Sequence, residues 1–443
     1  MSKPIRPKER DAIIQSLKSG VVPRVGLQHI QVGRSQELKS FIKDIENIKD
    51  GGTSFRFVIG EYGSGKTFFL QLVKSIALEK GLVTFNADLS PTNRLYGSDG
   101  QARSLFSNLI MSASTRTKQD GNALINILEK FISIARDESE NKGETVNKII
   151  DQKLKAVKDL VGGYDFAKVI ENYWIGHETC NERLKDCSMR WLKAEYTTKT
   201  EAFKDLGVRS IISDASFYDS LKLYGVLIKQ AGYGGLMVCL DEMVNLYKIS
   251  NSVSRKSNYE EILRILNDSL QGSSSNIGFI LGGTPEFLTD TNRGLYSYEA
   301  LKSRLAENTF AKQFGVSDYN SIVLRLSNLS KEELYVLLKN LRHVFASGNE
   351  KEYLVPDETL SSFLHHCSTK IGDSYFRTPR NTIKEFINLL SILEQQPNLK
   401  WTELISQVAI VKDIESTPMT ESIQDMSLSN KLEDEDEFAS FKL

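Results

Sequence analysis

The chain has 443 residues, 40% hydrophobic and 26% charged, which excludes a collagenous, low-complexity or wholly disordered protein and predicts roughly two to four domains. Its net charge of −1 conceals an acidic end: residues 415–443 carry eight acids against Lys431 and Lys442, leaving a mild positive excess elsewhere that neither demonstrates nor excludes nucleic-acid binding. No apolar run approaches the roughly 18–20 residues that span a bilayer, and the N-terminal stretch has no signal-like apolar segment, so a cytoplasmic protein without membrane contact is expected.

In chain order, the first periodic segment begins at Ser35, read as the cap of a helix with Leu38, Ile42 and Ile45 on one face. Phe55-Arg56-Phe57-Val58-Ile59 is a short strand-like run. It leads into Gly60-Glu61-Tyr62-Gly63-Ser64-Gly65-Lys66-Thr67 and then the helical Phe68 to Ala77, which is the GxxxxGK[ST] pattern in its strand–loop–helix setting. The glycines let consecutive amides and the helix N-terminus face an anion. Lys66 suits the β and γ phosphates of a nucleotide, and the Thr67 hydroxyl suits Mg²⁺.

Asp241 follows Lys66 by 175 residues, far more than a βαβ unit of roughly 30 residues needs, so something is inserted. Leu124, Leu128, Phe131 and Ile132, then Val146, Ile149, Ile150, Leu154, Val157 and Leu160, recur at helical spacing. A helical subdomain is expected over about 114–215. Its Lys142, Lys148, Lys153, Lys155, Lys158, Arg183 and Lys185 are either a DNA-binding surface or the solvated faces of helices with interleaved acids, and Trp174 and Trp191 read as core anchors.

Leu236-Met237-Val238-Cys239-Leu240 is a continuous apolar run ending in Asp241-Glu242, the signature of a strand buried on both faces with acids at the ligand-binding end of a parallel sheet. Asp241 would hold Mg²⁺, and Glu242 would act as general base on the attacking water. A third strand, from Ile277, ends in Gly282-Gly283-Thr284-Pro285; Thr284 is either a polar sensor of the γ-phosphate or part of an ordinary turn. Ser330 with Glu333 forms a capping box, and the stretch to residue 413 reads as helices. Pro379 places Arg380 near a helix start. The four cysteines lack metal or disulfide spacing, and His365-His366 does not converge as a ligand pair.

With these residues in this order, the chain resembles the AAA+ ATPases. The motifs are Val32-Gly33-Arg34 upstream, the loop at 60–67, the Asp-Glu strand, the Thr284 strand, later arginines and a helical end. More narrowly, Arg24 to Ile30, the loop, Cys239 to Tyr247 and Gly282 to Phe287 are similar to the ATP-binding protein of BREX-type bacterial phage-defence islands, over about residues 8–410. The resemblance implies ATP and Mg²⁺ as ligands and a large DNA helicase as neighbour. It also implies nucleotide contacts from Gly33, Arg34 and Gly60 through Phe68. An arginine finger acting across a homo-oligomer is implied too, with Arg304 preferred to Arg293; the competing account is a surface arginine paired with Glu299 or Glu307. Arg380 matches the second-sensor arginine of a lid, unless it is a plain helix-start residue.

The expected fold is thus α/β, an AAA+-like P-loop NTPase sheet with a helical insertion and a C-terminal helical lid. Residues 1–113 would form the first part of the ATPase core, 114–215 the insertion, 216–327 the second part of the core, 328–413 the lid and 414–443 an acidic disordered tail. A phage-defence ATPase acting on DNA with a helicase is one expectation. A nucleotide-dependent assembly switch that does not touch DNA is another, and a phosphotransferase a weaker third.

Overall fold

The computed structural model describes residues 5–407 apart from 374, 375, 377 and 378; the acidic tail at 414–443 and Arg377 lie outside the described residues. Five strands form one parallel sheet: β1 Thr53–Ile59, β2 Val83–Asp88, β3 Leu236–Asp241, β4 Ile277–Gly283 and β5 Val323–Arg325. Their order across the sheet is β2-β3-β4-β1-β5, so the strand that feeds the glycine-rich loop lies beside β4, with β3 next to that.

Side-chain alternation divides each strand between two cores, as the two-residue period of a strand requires. On one face, Val58, Met237, Cys239, Ile280 and Leu324 pack against the helices Ser35–Lys49 and Lys66–Glu79 through Phe41, Ile45, Phe69 and Val73. On the other, Phe57, Ile59, Phe85, Val238, Leu240, Phe279 and Leu281 join a larger core with the helices Gln101–Met111, Phe217–Gln230 and Ser252–Gln271. Ser35 is not a cap. The Arg34 carbonyl already accepts from the Leu38 N–H at 3.0 Å, so the helix starts at Ser35 and Arg34 takes the cap position at φ 61°.

Between β2 and β3 the helices Leu124–Lys142, Val146–Lys158, Gly163–Glu178, Glu182–Leu192 and Lys199–Leu206 follow one another. Their apolar faces are continuous with the sheet core. Tyr224 stacks edge-on against both Phe85 of β2 and Phe166, and Phe166 against Trp191. Trp174 and Trp191 are both buried, with indole N–H groups donating to Asn147 Oδ1 and Ser210 O. Lys142, Lys148, Lys153, Lys158, Arg183 and Lys185 each pair with a carboxylate.

The helices Lys331–Phe345, Asp357–Ile371, Arg380–Gln395 and Trp401–Gln407 build a separate core around Leu334, Leu338, Phe363, Phe386 and Leu390. Ser330 and Glu333 form the capping box that opens the first of them. Ile5, Ile13 and Ile30, from the beginning of the chain, complete this core. The helix Pro7–Lys18 is fastened there by Arg10, which donates to Phe345 O at 2.7 Å and pairs with Glu394 at 2.7 Å. Among the described residues no helix is long and apolar enough to cross a membrane.

Candidate functional site

Strands β1, β3 and β4 end side by side, and the loop 60–67 runs over their carboxyl ends. Gly63 and Gly65 adopt φ of 79° and 84°, backbone that other residues rarely take, and Gly65 is the N-cap of Lys66–Glu79. The loop and the first turn of that helix line one cavity, and the leading amides of a helix have no partner within it, which makes this end suited to an anion. Ser64 is buried, and its hydroxyl has no hydrogen-bond partner. An orphaned buried donor within such a loop suits an anion's oxygen.

Two residues 174 positions apart meet here. The Thr67 hydroxyl donates to Asp241 Oδ2 at 3.0 Å, and the Glu242 N–H donates to Asp241 Oδ1 at 2.8 Å. Gly282 on β4 makes room for this carboxylate: a methyl group there would lie 2.4 Å from Asp241 Oδ1. Thr67 and Asp241 thus present hard oxygen donors side by side, the chemistry that Mg²⁺ takes. Lys66 Nζ donates to the carbonyls of Gly60 and Glu61 at 2.8 and 2.9 Å. Burial lowers its pKa, with Asp241 and Glu242 acting in the opposite direction.

Glu242 stands at φ 57°, a strained backbone for a non-glycine residue, and lines the cavity. Desolvation, then the charges of Asp241 and Asp88, raise its pKa above the ordinary carboxylate range. Asp88 is a residue that sequence reasoning missed. It ends β2 in register with Asp241, and its own pKa is raised by desolvation and by Asp241.

The cavity, about 310 Å³, is bounded on one side by Tyr62 through Phe68 and Glu242. Its apolar wall comes from Val21, Val22, Ile30 and Val32, and from Leu337 and Ile383 of the C-terminal helices. Arg380, the first residue of its helix, reaches over to Tyr62. Arg34 lines the cavity too, yet its guanidinium donates to the carbonyls of Ser64, at 3.2 Å, and Ser327, at 2.5 Å. Gly33 beside it faces Glu333, whose Oε1 lies 2.2 Å from where a methyl group would stand.

Other expected residues stand differently. The Thr284 hydroxyl accepts from Phe287 N–H at 3.4 Å, capping the helix Pro285–Thr289. Arg293 donates to the carbonyls of Tyr247 and Ile249 and lies over the Tyr247 ring. Arg304 is exposed and bonds Asn267 Oδ1 and Ala300 O at 2.8 Å each. It pairs with neither Glu299, which meets Lys302, nor Glu307, which meets Arg325.

No curated protein matches the chain. Residues 5–409 match the family model described as BREX system ATP-binding protein BrxC/D, and with nearly the whole folded length covered, the chain belongs to that family.

Proposed function

We propose that the protein is a P-loop ATPase of the AAA+ type that binds Mg·ATP over the carboxyl ends of β1, β3 and β4 and hydrolyses it. One observation carries this reading: the Thr67–Asp241 contact at 3.0 Å, which joins the end of the glycine-rich loop to the acidic strand beside Lys66 and Glu242. The family, named for ATP binding in a phage-defence system, agrees with it. Loop amides, the Ser64 hydroxyl and the Lys66 ammonium cradle the phosphates, and the apolar wall receives the base. Thr67 and Asp241 hold Mg²⁺, which supplies charge neutralisation on the phosphate oxygens.

Glu242, with its raised pKa, is the general base that takes a proton from the attacking water. The Thr284 hydroxyl keeps its own hydrogen for donation while it caps a helix. Arg380 addresses the terminal phosphate from the lid, and exposed Arg304 serves a neighbouring copy in a homo-oligomer.

The test is a phosphate-release assay with nucleotide titration. Lys66→Ala should lose nucleotide retention, whereas Glu242→Gln should bind ATP and turn over at least about a hundredfold more slowly. Normal affinity in the first variant or undiminished turnover in the second overturns the assignment. Family resemblance supports action on DNA beside a helicase. A second reading, a nucleotide-driven assembly switch indifferent to DNA, is favoured by the carboxylate partners of the insertion's basic residues. Strong stimulation of hydrolysis by duplex or single-stranded DNA decides for the first; ATP-dependent assembly unaffected by DNA decides for the second.

A further inference from the structure

Arg380 opens the helix Arg380–Gln395, where a cation faces the positive end of the helix dipole. Its placement therefore costs helix stability, and an approaching anion relieves that cost. The side-chain stem passes the turn after the first helix: a methyl group on Gly20 would lie 3.6 Å from Arg380 Cδ. Its guanidinium then ends on the glycine-rich loop, 318 residues away in sequence. Nη1 donates to the Tyr62 hydroxyl at 3.0 Å, and the guanidinium carbon stands 5.9 Å from the ring centroid. Tyr62 is 44% exposed and shares the cavity with Lys66 and Glu242.

We propose that Tyr62 is the positioning residue for Arg380, holding the lid arginine at the phosphate end of the cavity before and during nucleotide binding. The proposal rests on the ATP site described above. A tyrosine suits the task because its hydroxyl is a neutral acceptor. It sets the direction of the guanidinium without neutralising it, so the arginine stays available to a phosphate oxygen. A carboxylate in the same place would pair charge to charge with the guanidinium, as a bidentate acceptor, and would compete with the nucleotide. The phenol ring also gives the guanidinium a face on which to slide toward the phosphate without losing contact. The contact couples the lid to the loop at the point where a third phosphate distinguishes ATP from ADP.

The experiment measures the affinities of ADP and of a non-hydrolysable ATP analogue, both with Mg²⁺, by calorimetry on four full-length proteins: wild type, Tyr62→Phe, Arg380→Ala and the double variant. A hydrogen bond from a charged donor is worth about 1.5–3 kcal/mol, so Tyr62→Phe should reduce the preference for the triphosphate roughly 10- to 100-fold. Arg380→Ala should reduce it at least as much, and Tyr62→Phe should add nothing further in that background. A structural role for the hydroxyl alone would weaken both nucleotides equally, and that result overturns the proposal, as does full additivity of the two substitutions. A wild-type protein that binds neither nucleotide rejects the ATP site itself. A wild-type preference left intact by Tyr62→Phe rejects only the role given to Tyr62.

Discussion

Replacing Gly282 by alanine tests the metal end of the site from a position outside the cavity lining. The added methyl would stand 2.4 Å from Asp241 Oδ1 and 2.9 Å from Leu70 Cδ1. Separations this short require movement, and the Asp241 carboxylate, the nearer of the two neighbours, has the further to go. Swinging it aside breaks its bonds to the Thr67 hydroxyl and the Glu242 N–H, at 3.0 and 2.8 Å. Overpacking of this kind costs about 1–3 kcal/mol of stability. Loss of one charge-assisted contact to the metal site, about 1.5–3 kcal/mol, corresponds to roughly 10- to 100-fold in affinity for Mg·ATP. The assay is ATP titration in Mg²⁺ and again in EDTA, with thermal unfolding of the free protein as control. Gly282→Ala should lose the gain in affinity that Mg²⁺ gives, while the affinity in EDTA changes little. Wild-type affinity for Mg·ATP in a folded variant would refute the link from Gly282 through Asp241 to the metal.

Three further outcomes are expected. Asp88 and Glu242 both titrate above their ordinary ranges, so the folded protein retains protons that the unfolded chain has released, and stability should fall as pH rises from about 4 through the raised values, then level off. Asp88→Asn should therefore raise the melting temperature at pH 7 more than at pH 3; an equal shift at both would remove Asp88 from that balance. Gly33→Ala should destabilise the chain by about 1–3 kcal/mol in chemical denaturation, because Gly33 holds φ 61°, which alanine adopts only with strain, and the methyl crowds Glu333 in its capping box; unchanged stability would refute both effects. Arg293→Ala should destabilise the chain at every concentration because its guanidinium holds two carbonyls, whereas Arg304→Ala should leave melting nearly unchanged and impair hydrolysis only where copies assemble. Equal loss of activity in dilute, monomeric Arg304→Ala protein would exclude a role across subunits.

The strands β3 and β4 were legible because each is a run of apolar residues and glycine buried on both faces and punctuated by glycine or acid, and β1 because Phe55, Phe57, Val58 and Ile59 surround its one charged residue, Arg56, just before the glycine-rich loop. β2 was hidden by the polar Thr84 and Asn86, and β5, with only the residues Val323–Arg325, is too short for a periodic signal. The loop and Asp241 could be read from local chemistry, but not the reason that β4 carries Gly282, which lies in a neighbouring carboxylate. Asp88 escaped with its strand. The Tyr62–Arg380 contact and the apolar wall from residues 21–32 depend on how distant segments pack, and no local pattern announces them. Arg34 shows the limit of motif reading: the resemblance implies a nucleotide contact, whereas the structure gives a residue that lines the cavity with its guanidinium engaged by backbone carbonyls.

The marriage of the chain's beginning to its last helices sets a timetable for synthesis. The helix ending at Lys18 emerges from the ribosome with only the short helix Leu27–Ile30 at hand to pack beside Ile13, and the helices that complete the core around it start at Lys331. At about 5–20 residues per second, that is a wait of roughly 15–60 s. A polypeptide cut short before Lys331 leaves the apolar face of Pro7–Lys18 without most of its cover, a handle for chaperones and proteases.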